Sequence, residues 1–369
     1  MTEAIETFEI SVDDAVLQDL GDRLARTRFP DQIDGTGWEY GIPIDYLREL
    51  VAYWRDTYDW RVHEARLNEL GHFRTRIDGQ GMHFVHARSA NAGAFPLLLM
   101  HGWPGSIVEF LEVIPRLTDE FHVVAPSLPG YGFSEPTRTP GWDVARVARA
   151  FIELMARLGY SRYGAQGGDW GAQIATRIGA FDPEHCAAIH LNMPLAERPK
   201  EPVPLTDEDK AGLTALAEFQ REEAGYALEQ STKPQTVGAA LNDSPAGLLG
   251  WIVEKFRAWS DCGGDPETVF TRDQLVTNAM VYWVTETITS SARLYWERQH
   301  AAADEQPFVT VPTGVARYPK EVLRFPRAWV ERHYNVTRWV DMPRGGHFAA
   351  MEQPALFADD VREFFHTVR

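Results

Sequence analysis

Short apolar runs that alternate with helical segments are the feature that most constrains the fold of this chain. Residues 96–100 form a continuous apolar run, residues 121–125 and 187–191 are mostly apolar, and all three are predicted strands, as is the short segment 162–166. Residues 144–158 have the spacing of an amphipathic helix. Strands and helices in this alternation predict a mostly parallel, doubly wound α/β sheet, with functional sites at the carboxyl ends of its strands.

Changes in this pattern divide the chain into four sections. Helical spacing, followed by alternation around Asp78-Gly79, predicts two helices and a β-hairpin before the apolar strands begin. A later stretch is almost wholly helical, and a helical block inserted between two parts of an α/β sheet is typical of a lid. The predicted sections are an N-terminal section wrapping the core (1–92), the first part of the core (93–194), the lid (195–305) and the second part of the core (306–369).

The predicted elements inside these sections can be given in detail. We expect helices over residues 13–26, 44–70 and 172–178, a hairpin over residues 73–87, late strands over residues 308–311 and 337–341, and a closing helix from Pro354.

Composition narrows the range of partners. Of the 369 residues, 53 are acidic and 36 are Lys or Arg, which gives a formal net charge of −17. That charge opposes nucleic-acid phosphates and anionic membranes, so neither is expected as a partner. A small neutral substrate is easier to reconcile with this negative net charge. The N-terminal section could embrace a second subunit, giving a homodimer, or only its own chain.

The cysteines and the N-terminus indicate a cytoplasmic protein. Cys186 and Cys262 are too few for a disulfide framework or a four-thiolate zinc site. The first residues are acidic and lack the basic and apolar regions of a signal peptide. No stretch approaches the roughly 18 apolar residues that span a bilayer. We therefore expect no membrane association.

The glycine-rich segment 167–171 (GGDWG), between a predicted strand and a predicted helix, carries the strongest chemical signal. It has the form of a nucleophile elbow in which Asp169 replaces the commoner serine. The tight turn strains its central residue, so its neighbours must be small. A carboxylate is already ionised at neutral pH and can displace a leaving group at saturated carbon. The alternative is a turn whose aspartate only caps the following helix.

The second signal is the segment 101–106 (HGWPGS), directly after the strand 96–100. In a fold with a nucleophile elbow this loop supplies one oxyanion-hole N–H, and the residue after the nucleophile supplies the other. The predicted donors are the backbone amides of Trp103 and Trp170. An ordinary β-to-helix turn is the alternative.

The third signal is His347, in the segment 344–348 (RGGHF) after the last predicted strand. Its position follows the chain order of nucleophile, acid and base. The acid is less clear from the pattern: Glu321 lies in the expected loop, and Asp341 and Glu331 are rivals. His83 and His86 would point to opposite faces of a strand, which makes a poor metal pair. No metal site is predicted.

Taken together, these segments resemble the microsomal epoxide hydrolase family. The resemblance rests on GGDWG, on HGWPGS, on residues 311–323 (VPTGVARYPKEVL) and on residues 344–354 (RGGHFAAMEQP). It extends to the N-terminal section and to residues 232–248 (TKPQTVGAALNDSPAGL) of the lid. The resemblance implies an α/β-hydrolase fold, a soluble member without a membrane anchor, and no cofactor.

Site roles also follow from this resemblance. It makes Asp169 the nucleophile, His347 the base, Glu321 its acid partner, and Tyr226 and Tyr295 the lid tyrosines that bind the epoxide oxygen. The implied reaction converts an aryl or otherwise lipophilic epoxide to a vicinal diol through a covalent aspartyl ester, in an aromatic pocket for which Phe348 is a candidate wall. The alternatives are a haloalkane dehalogenase, which also has an aspartate followed by tryptophan, and a non-catalytic binding protein on the same fold.

Overall fold

The strands of the computed structural model follow the predicted pattern. The model describes residues 4–302 and 308–368, and the predicted boundary between residues 305 and 306 lies outside them. Within this part of the chain, nine strands form a single sheet. They are β1 (Glu6–Phe8), β2 (His72–Ile77), β3 (Gln80–Ala87), β4 (Phe95–Met100), β5 (Phe121–Pro126), β6 (Tyr163–Gly167), β7 (Cys186–Leu191), β8 (Val309–Arg317) and β9 (Tyr334–Asp341).

The strand order is β1-β2-β3-β5-β4-β6-β7-β8-β9. The pairs from β5 to β9 are parallel, and β1, β2 and β3 extend the sheet in antiparallel fashion. The hairpin predicted around Asp78-Gly79 is confirmed: both residues have positive φ, 52° and 72°. Because β3 pairs with β5, the N-terminal section is continuous with the core sheet.

The helices account for most of the remaining chain. They are α1 (Asp14–Ala25), α2 (Ile44–Asp56), α3 (Trp60–Asn68), α4 (Ile114–Leu117), α5 (Val144–Arg157), α6 (Asp169–Phe181), α7 (Asp207–Glu222), α8 (Gly225–Thr232), α9 (Pro234–Leu241), α10 (Pro245–Trp259), α11 (Arg272–Thr285), α12 (Ile288–His300), α13 (Arg327–Val330), α14 (Ala349–Glu352) and α15 (Pro354–His366). We call α7 to α12 the helical block. No helix in the described residues is both long and apolar enough to cross a bilayer.

Four predicted elements have wrong bounds. The strand predicted over residues 337–341 begins earlier, at Tyr334, because Asn335 and Val336 already pair with β8. The helix over residues 44–70 is two helices, because the chain breaks at residues 57–59 and Asp59 caps α3 by accepting from the Arg61 N–H. The strand 308–311 continues to Arg317, because a register shift between Val309 and Pro312 accommodates the proline that has no N–H to donate. The helix predicted from residue 172 begins at Asp169.

Candidate active site

The elbow places Asp169 at the junction of β6 and α6. Its φ is +49°, a left-handed conformation uncommon for a residue with a side chain. A Cβ on Gly167 would lie 2.2 Å from the carbonyl of Gly171, and one on Gly171 would lie 2.1 Å from the carbonyl oxygen of Met100. Small residues are therefore required on both sides of Asp169. The carboxylate lies at the positive end of the α6 dipole.

The loop after β4 approaches this carboxylate through its backbone. The Trp103 N–H donates to Asp169 Oδ1 over 2.9 Å. A Cβ on Gly102 would lie 2.2 Å from the same oxygen, so only glycine permits this approach. Trp170 lies in the first turn of α6, where backbone N–H groups have no partner within the helix. The Trp103 amide thus contacts the Asp169 carboxylate, and the Trp170 amide follows Asp169 directly in the chain.

His347 is bonded to one acid and faces another. Its Nδ1 lies 2.7 Å from Glu321 Oε1, and its Nε2 lies 3.5 Å from Asp169 Oδ2. Glu321 Oε1 also accepts from the Val322 N–H, and the Glu321 side chain is only 1% exposed. Glu321 is thus the acid that bonds His347, whereas Asp341 and Glu331 have other partners.

The rivals lie elsewhere on the surface. Asp341 is half exposed and accepts from Arg317 at 2.6 Å, and Glu331 accepts from Arg327 one helical turn away. Both carboxylates are therefore engaged in surface ion pairs with arginine.

Two opposing effects set the pKa of His347. Burial would lower it, because a low dielectric disfavours the charged imidazolium. The carboxylates of Glu321 and Asp169 overcome that effect and hold the pKa of His347 well above its ordinary value. The structure therefore forms an acid–histidine–acid row, Glu321–His347–Asp169.

Tyr226 and Tyr295 come from different helices of the block, α8 and α12, which pack against each other. The Tyr226 ring stacks on the Trp103 ring at 4.9 Å, and the Tyr295 ring meets the Trp170 ring edge to face at 4.7 Å. Burial, the Asp169 charge and the neighbouring tyrosine together raise the pKa of Tyr295 well above its usual value. Burial followed by the Asp169 charge raises the pKa of Tyr226 in the same way. Both phenols are therefore protonated donors.

Helix α11 of the block holds the loop that carries Trp103. Asn278, fully buried, donates from Nδ2 to the Pro104 carbonyl at 2.8 Å and accepts from the Ser106 hydroxyl at 2.8 Å. The Tyr282 hydroxyl donates to the Gly105 carbonyl at 2.7 Å. Helix α11 thus fixes the position of the loop 101–106, which carries the Trp103 amide.

A second set of bonds joins the end of α10 to the loop that carries His347. The His347 N–H donates to the Trp259 carbonyl at 2.9 Å, and the Gly345 N–H donates to Asp261 Oδ2 at 3.0 Å. Glu352 accepts from the Asp261 N–H at 2.8 Å and from the Phe348 N–H at 3.1 Å. Burial raises the pKa of Glu352 to about 7.

Phe348, the candidate pocket wall, is buried. It stacks on Phe256 at 3.9 Å and meets the His347 ring edge to face at 5.1 Å. It lines the same small cavity as Asp169. In the described residues, no group of three or more His, Cys, Asp or Glu side chains is arranged to hold a metal. His83 bonds His72 and Ser127 instead.

Sequence reasoning missed several residues around the site. Asn278, Tyr282 and Trp259 bond to its loops from distant parts of the chain, so no local signal could have selected them. Glu352 lies close to His347 in the sequence, but its bond to the distant Asp261 N–H has no local signal. Glu109 could have been found, because it is a carboxylate three residues after the segment 101–106 and shares the cavity with Asp169 and His347.

Comparisons with known proteins agree with this architecture. The family model described as "Epoxide hydrolase N terminus" matches residues 5–110, and the model described as "alpha/beta hydrolase fold" matches residues 96–240. Epoxide hydrolase 1 of Sus scrofa is 39% identical, over 98% of this chain and 88% of its own length.

Two solved structures are similar over almost the whole chain. The juvenile hormone epoxide hydrolase of the silkworm Bombyx mori superposes with a TM-score of 0.92 at 36% identity, covering 100% of this chain and 95% of that one. The Aspergillus niger epoxide hydrolase gives 0.91 at 32% identity, covering 99% and 97%. The protein has the α/β-hydrolase fold, which its sheet order and strand-to-helix elbow define. Within that class, the chain belongs to the epoxide hydrolase family.

Proposed function

We propose that this protein hydrolyses an aryl or otherwise lipophilic epoxide to a vicinal diol through an ester on Asp169. One observation carries the proposal. A carboxylate strained at φ +49° has Oδ1 held by the Trp103 N–H, while Oδ2 faces a histidine bonded to Glu321. The helical block acts as the lid and closes this constellation with two protonated tyrosines.

In the first step, Oδ2 of Asp169 attacks a ring carbon and the carbon–oxygen bond of the ring breaks. The Tyr226 and Tyr295 hydroxyls bind the ring oxygen, and one of them gives it a proton. The assignment of Oδ2 follows from the contacts, because Oδ1 is already engaged by Trp103. The aromatic rings around these groups favour a lipophilic substituent on the epoxide.

In the second step, His347 takes a proton from water, and the resulting hydroxide adds to the Asp169 carbonyl carbon. The charge that develops on Oδ1 meets the amides of Trp103 and Trp170, each a type of donor worth about 3 kcal/mol in such a hole. The ester bond then breaks, and the diol oxygen takes its proton from His347. The acid form of Asp169 gives its proton back to the tyrosinate.

The pKa of His347 couples the two steps. Both Glu321 and Asp169 raise it in the resting site. Ester formation removes the Asp169 charge, so the pKa of His347 falls towards its ordinary value in the intermediate. The imidazole is then free of a proton when a base is needed.

The first experiment measures diol formation from a panel of aryl and alkyl epoxides by wild type, Asp169→Ala and the exposed control Asp207→Ala. We expect diol from wild type and the control only. In a single turnover in heavy-oxygen water, the first diol should carry little label, because its new oxygen comes from Asp169. A fully labelled first diol would exclude the ester.

Haloalkanes in the same panel distinguish the proposed epoxide hydrolase from the principal alternative, a haloalkane dehalogenase. A dehalogenase needs N–H donors for the departing halide, whereas an epoxide needs hydroxyl donors. The paired tyrosines beside Trp103 support the epoxide. Halide release without diol would reverse the assignment, and tight epoxide binding without turnover would indicate a non-catalytic binding protein.

The setting proposed for this reaction is the cytoplasm. The acidic net charge and two buried free thiols support a reducing compartment without anionic partners. Sedimentation at several protein concentrations tests whether the chain forms a homodimer.

A further inference from the structure

A small polar cavity lies directly beside Asp169. Its volume is about 20 Å³, and the polar side chains of its walls are those of His101, Glu109, Gln166, Asp169, Asn192 and His347. A water molecule requires about 10–15 Å³ of such space and two to four polar partners. The cavity therefore has room for one water beside the carboxylate and the imidazole.

One wall of this cavity has an unused acceptor. Gln166 is 1% exposed, and its Nε2 donates to Asn192 Oδ1 at 3.1 Å. Its Oε1 is buried without a hydrogen-bond partner in the described chain. Burying a carbonyl without a donor is costly, so this atom fits a cavity whose occupant donates to it.

Glu109 also lines this cavity, and its carboxyl group packs closely against the backbone of Gly105. A Cβ on Gly105 would lie 1.6 Å from Glu109 Oε1, so the carboxyl occupies the space of a side chain at position 105. It accepts from the Gly102 N–H. Burial raises the pKa of Glu109 to about 8, with the charge of His347 opposing and that of Asp169 reinforcing the shift. At neutral pH the group is mainly a neutral acid that can donate a hydrogen bond.

We propose that this cavity binds the water that hydrolyses the Asp169 ester, and that Glu109 is a further catalytic residue that holds this water by donating to it. The inference rests on the proposed function. Glu109 and Gln166 fix the water while His347 Nε2 removes one of its protons. The water oxygen then forms its bond to the Asp169 carbonyl carbon, and the ester bond to the diol oxygen breaks.

The test compares Glu109→Gln and Glu109→Met. Gln keeps an acceptor for Gly102 and a donor for the water, whereas Met fills similar space without either. Glu112→Met is the matched control, because Glu112 is half exposed and pairs with Arg66 at the surface. Styrene oxide is the probe, and rapid quenching followed by intact-protein mass separates ester formation from ester hydrolysis.

We expect Glu109→Met to slow ester hydrolysis about 100-fold, the loss typical of a reacting atom misplaced by about 1 Å, so that the ester accumulates. Ester formation should stay within about threefold of wild type. Glu109→Gln should restore hydrolysis to within about fivefold of wild type, and Glu112→Met should match wild type.

A pH series tests the same role without a destabilising change. The charges of Asp169, His347 and Glu321 affect the pKa of Glu109. The charge of Glu109 in turn raises the pKa of Tyr282, and His101 lines the same cavity. All of them remain in Glu109→Gln. Hydrolysis by wild type should decline as pH rises through about 8, where Glu109 loses its donor proton. That decline should be absent in Glu109→Gln.

The outcomes separate this inference from the proposed function. If wild type forms no ester and no diol, both fail. If wild type turns over and Glu109→Met hydrolyses the ester at the wild-type rate, only the role of Glu109 fails. Equal slowing of both steps, or the same high-pH decline in Glu109→Gln, would also overturn it.

Discussion

The parallel sheet supplies one half of the candidate site and the helical block supplies the other, and the two halves fix their polar groups differently. Asp169, Trp103 and His347 stand on loops at the carboxyl ends of strands, held by backbone hydrogen bonds and by glycines that admit no side chain. Tyr226 and Tyr295 stand on helices and are held mainly by ring contacts with Trp103 and Trp170.

This difference suggests that the two halves of the site serve different steps of the reaction. Backbone contacts fix an atom closely, as a nucleophile and an oxyanion donor require. Ring contacts are less directional and let a helix adjust to the substituent of the substrate. Apart from the nucleophile Asp169 itself, we therefore expect changes in the sheet half to affect hydrolysis of the ester, and changes to the tyrosines of the block half to affect its formation.

The largest effect should come from His347→Ala. Without a base, ester hydrolysis should slow by about 10³-fold, while the ester still forms because Asp169 is ionised without help. Intact-protein mass after mixing with an epoxide should show a stable adduct on Asp169. His185→Ala, an exposed histidine paired with Asp182, is the control. Loss of ester formation in His347→Ala would contradict the proposed difference between the two halves.

The next largest effect should come from the tyrosines. Tyr226→Phe and Tyr295→Phe each remove one hydroxyl and keep the ring, so we expect ester formation to slow about 10- to 100-fold in each, and further in the double variant. Hydrolysis of preformed ester should change little. Rapid-mixing measurement of both steps checks this. A hydrolysis defect as large as the alkylation defect would contradict it.

Asn278 tests how far the block also supports the sheet half. Asn278→Ala leaves the Pro104 carbonyl and the donor proton of the Ser106 hydroxyl unpaired in a buried site, which should cost about 2 kcal/mol of unfolding free energy. Displacement of the Trp103 N–H should slow ester hydrolysis about tenfold. Urea titration and single-turnover kinetics measure the two effects, and Asn335→Ala, which loses an exposed bond, is the control. Unchanged hydrolysis would confine α11 to a structural role.

The smallest effect on activity, a few-fold at most, is expected for Glu352→Gln, whose main consequence is for stability. Burial raises the pKa of Glu352 to about 7 in the folded protein, so its contribution to stability is present below the unfolded pKa and is lost as pH rises to about 7. At about 1.4 kcal/mol per unit, the loss is on the order of 3 kcal/mol. Urea unfolding at pH 5 and pH 8 should give a larger difference for wild type than for Glu352→Gln. Equal differences would contradict the role of burial.

The fold was largely predictable because its signals are local. Apolar runs, the Asp78-Gly79 turn and the helical spacing each report structure within a few residues, and the structure confirms most of them. The failures have the same origin. The break after α2 depends on the cap at Asp59, and the extension of β8 past Pro312 depends on a bulge against β9, which only the neighbouring strand reveals.

The residues of the candidate site also fall into those that local sequence predicted and those that only tertiary contacts placed. By itself, the sequence determined the elbow around Asp169, the loop at Trp103 and the position of His347, because each depends on a short glycine-containing segment at the end of a strand. Tertiary structure alone decided that Glu321, and neither Asp341 nor Glu331, bonds His347, and brought Asn278, Glu352 and the cavity of Glu109 to the site. The bonds of Glu321 to His347, of Asn278 to Pro104 and of Glu352 to Asp261 join residues far apart in the chain, and their free energy depends on burial that no local pattern records.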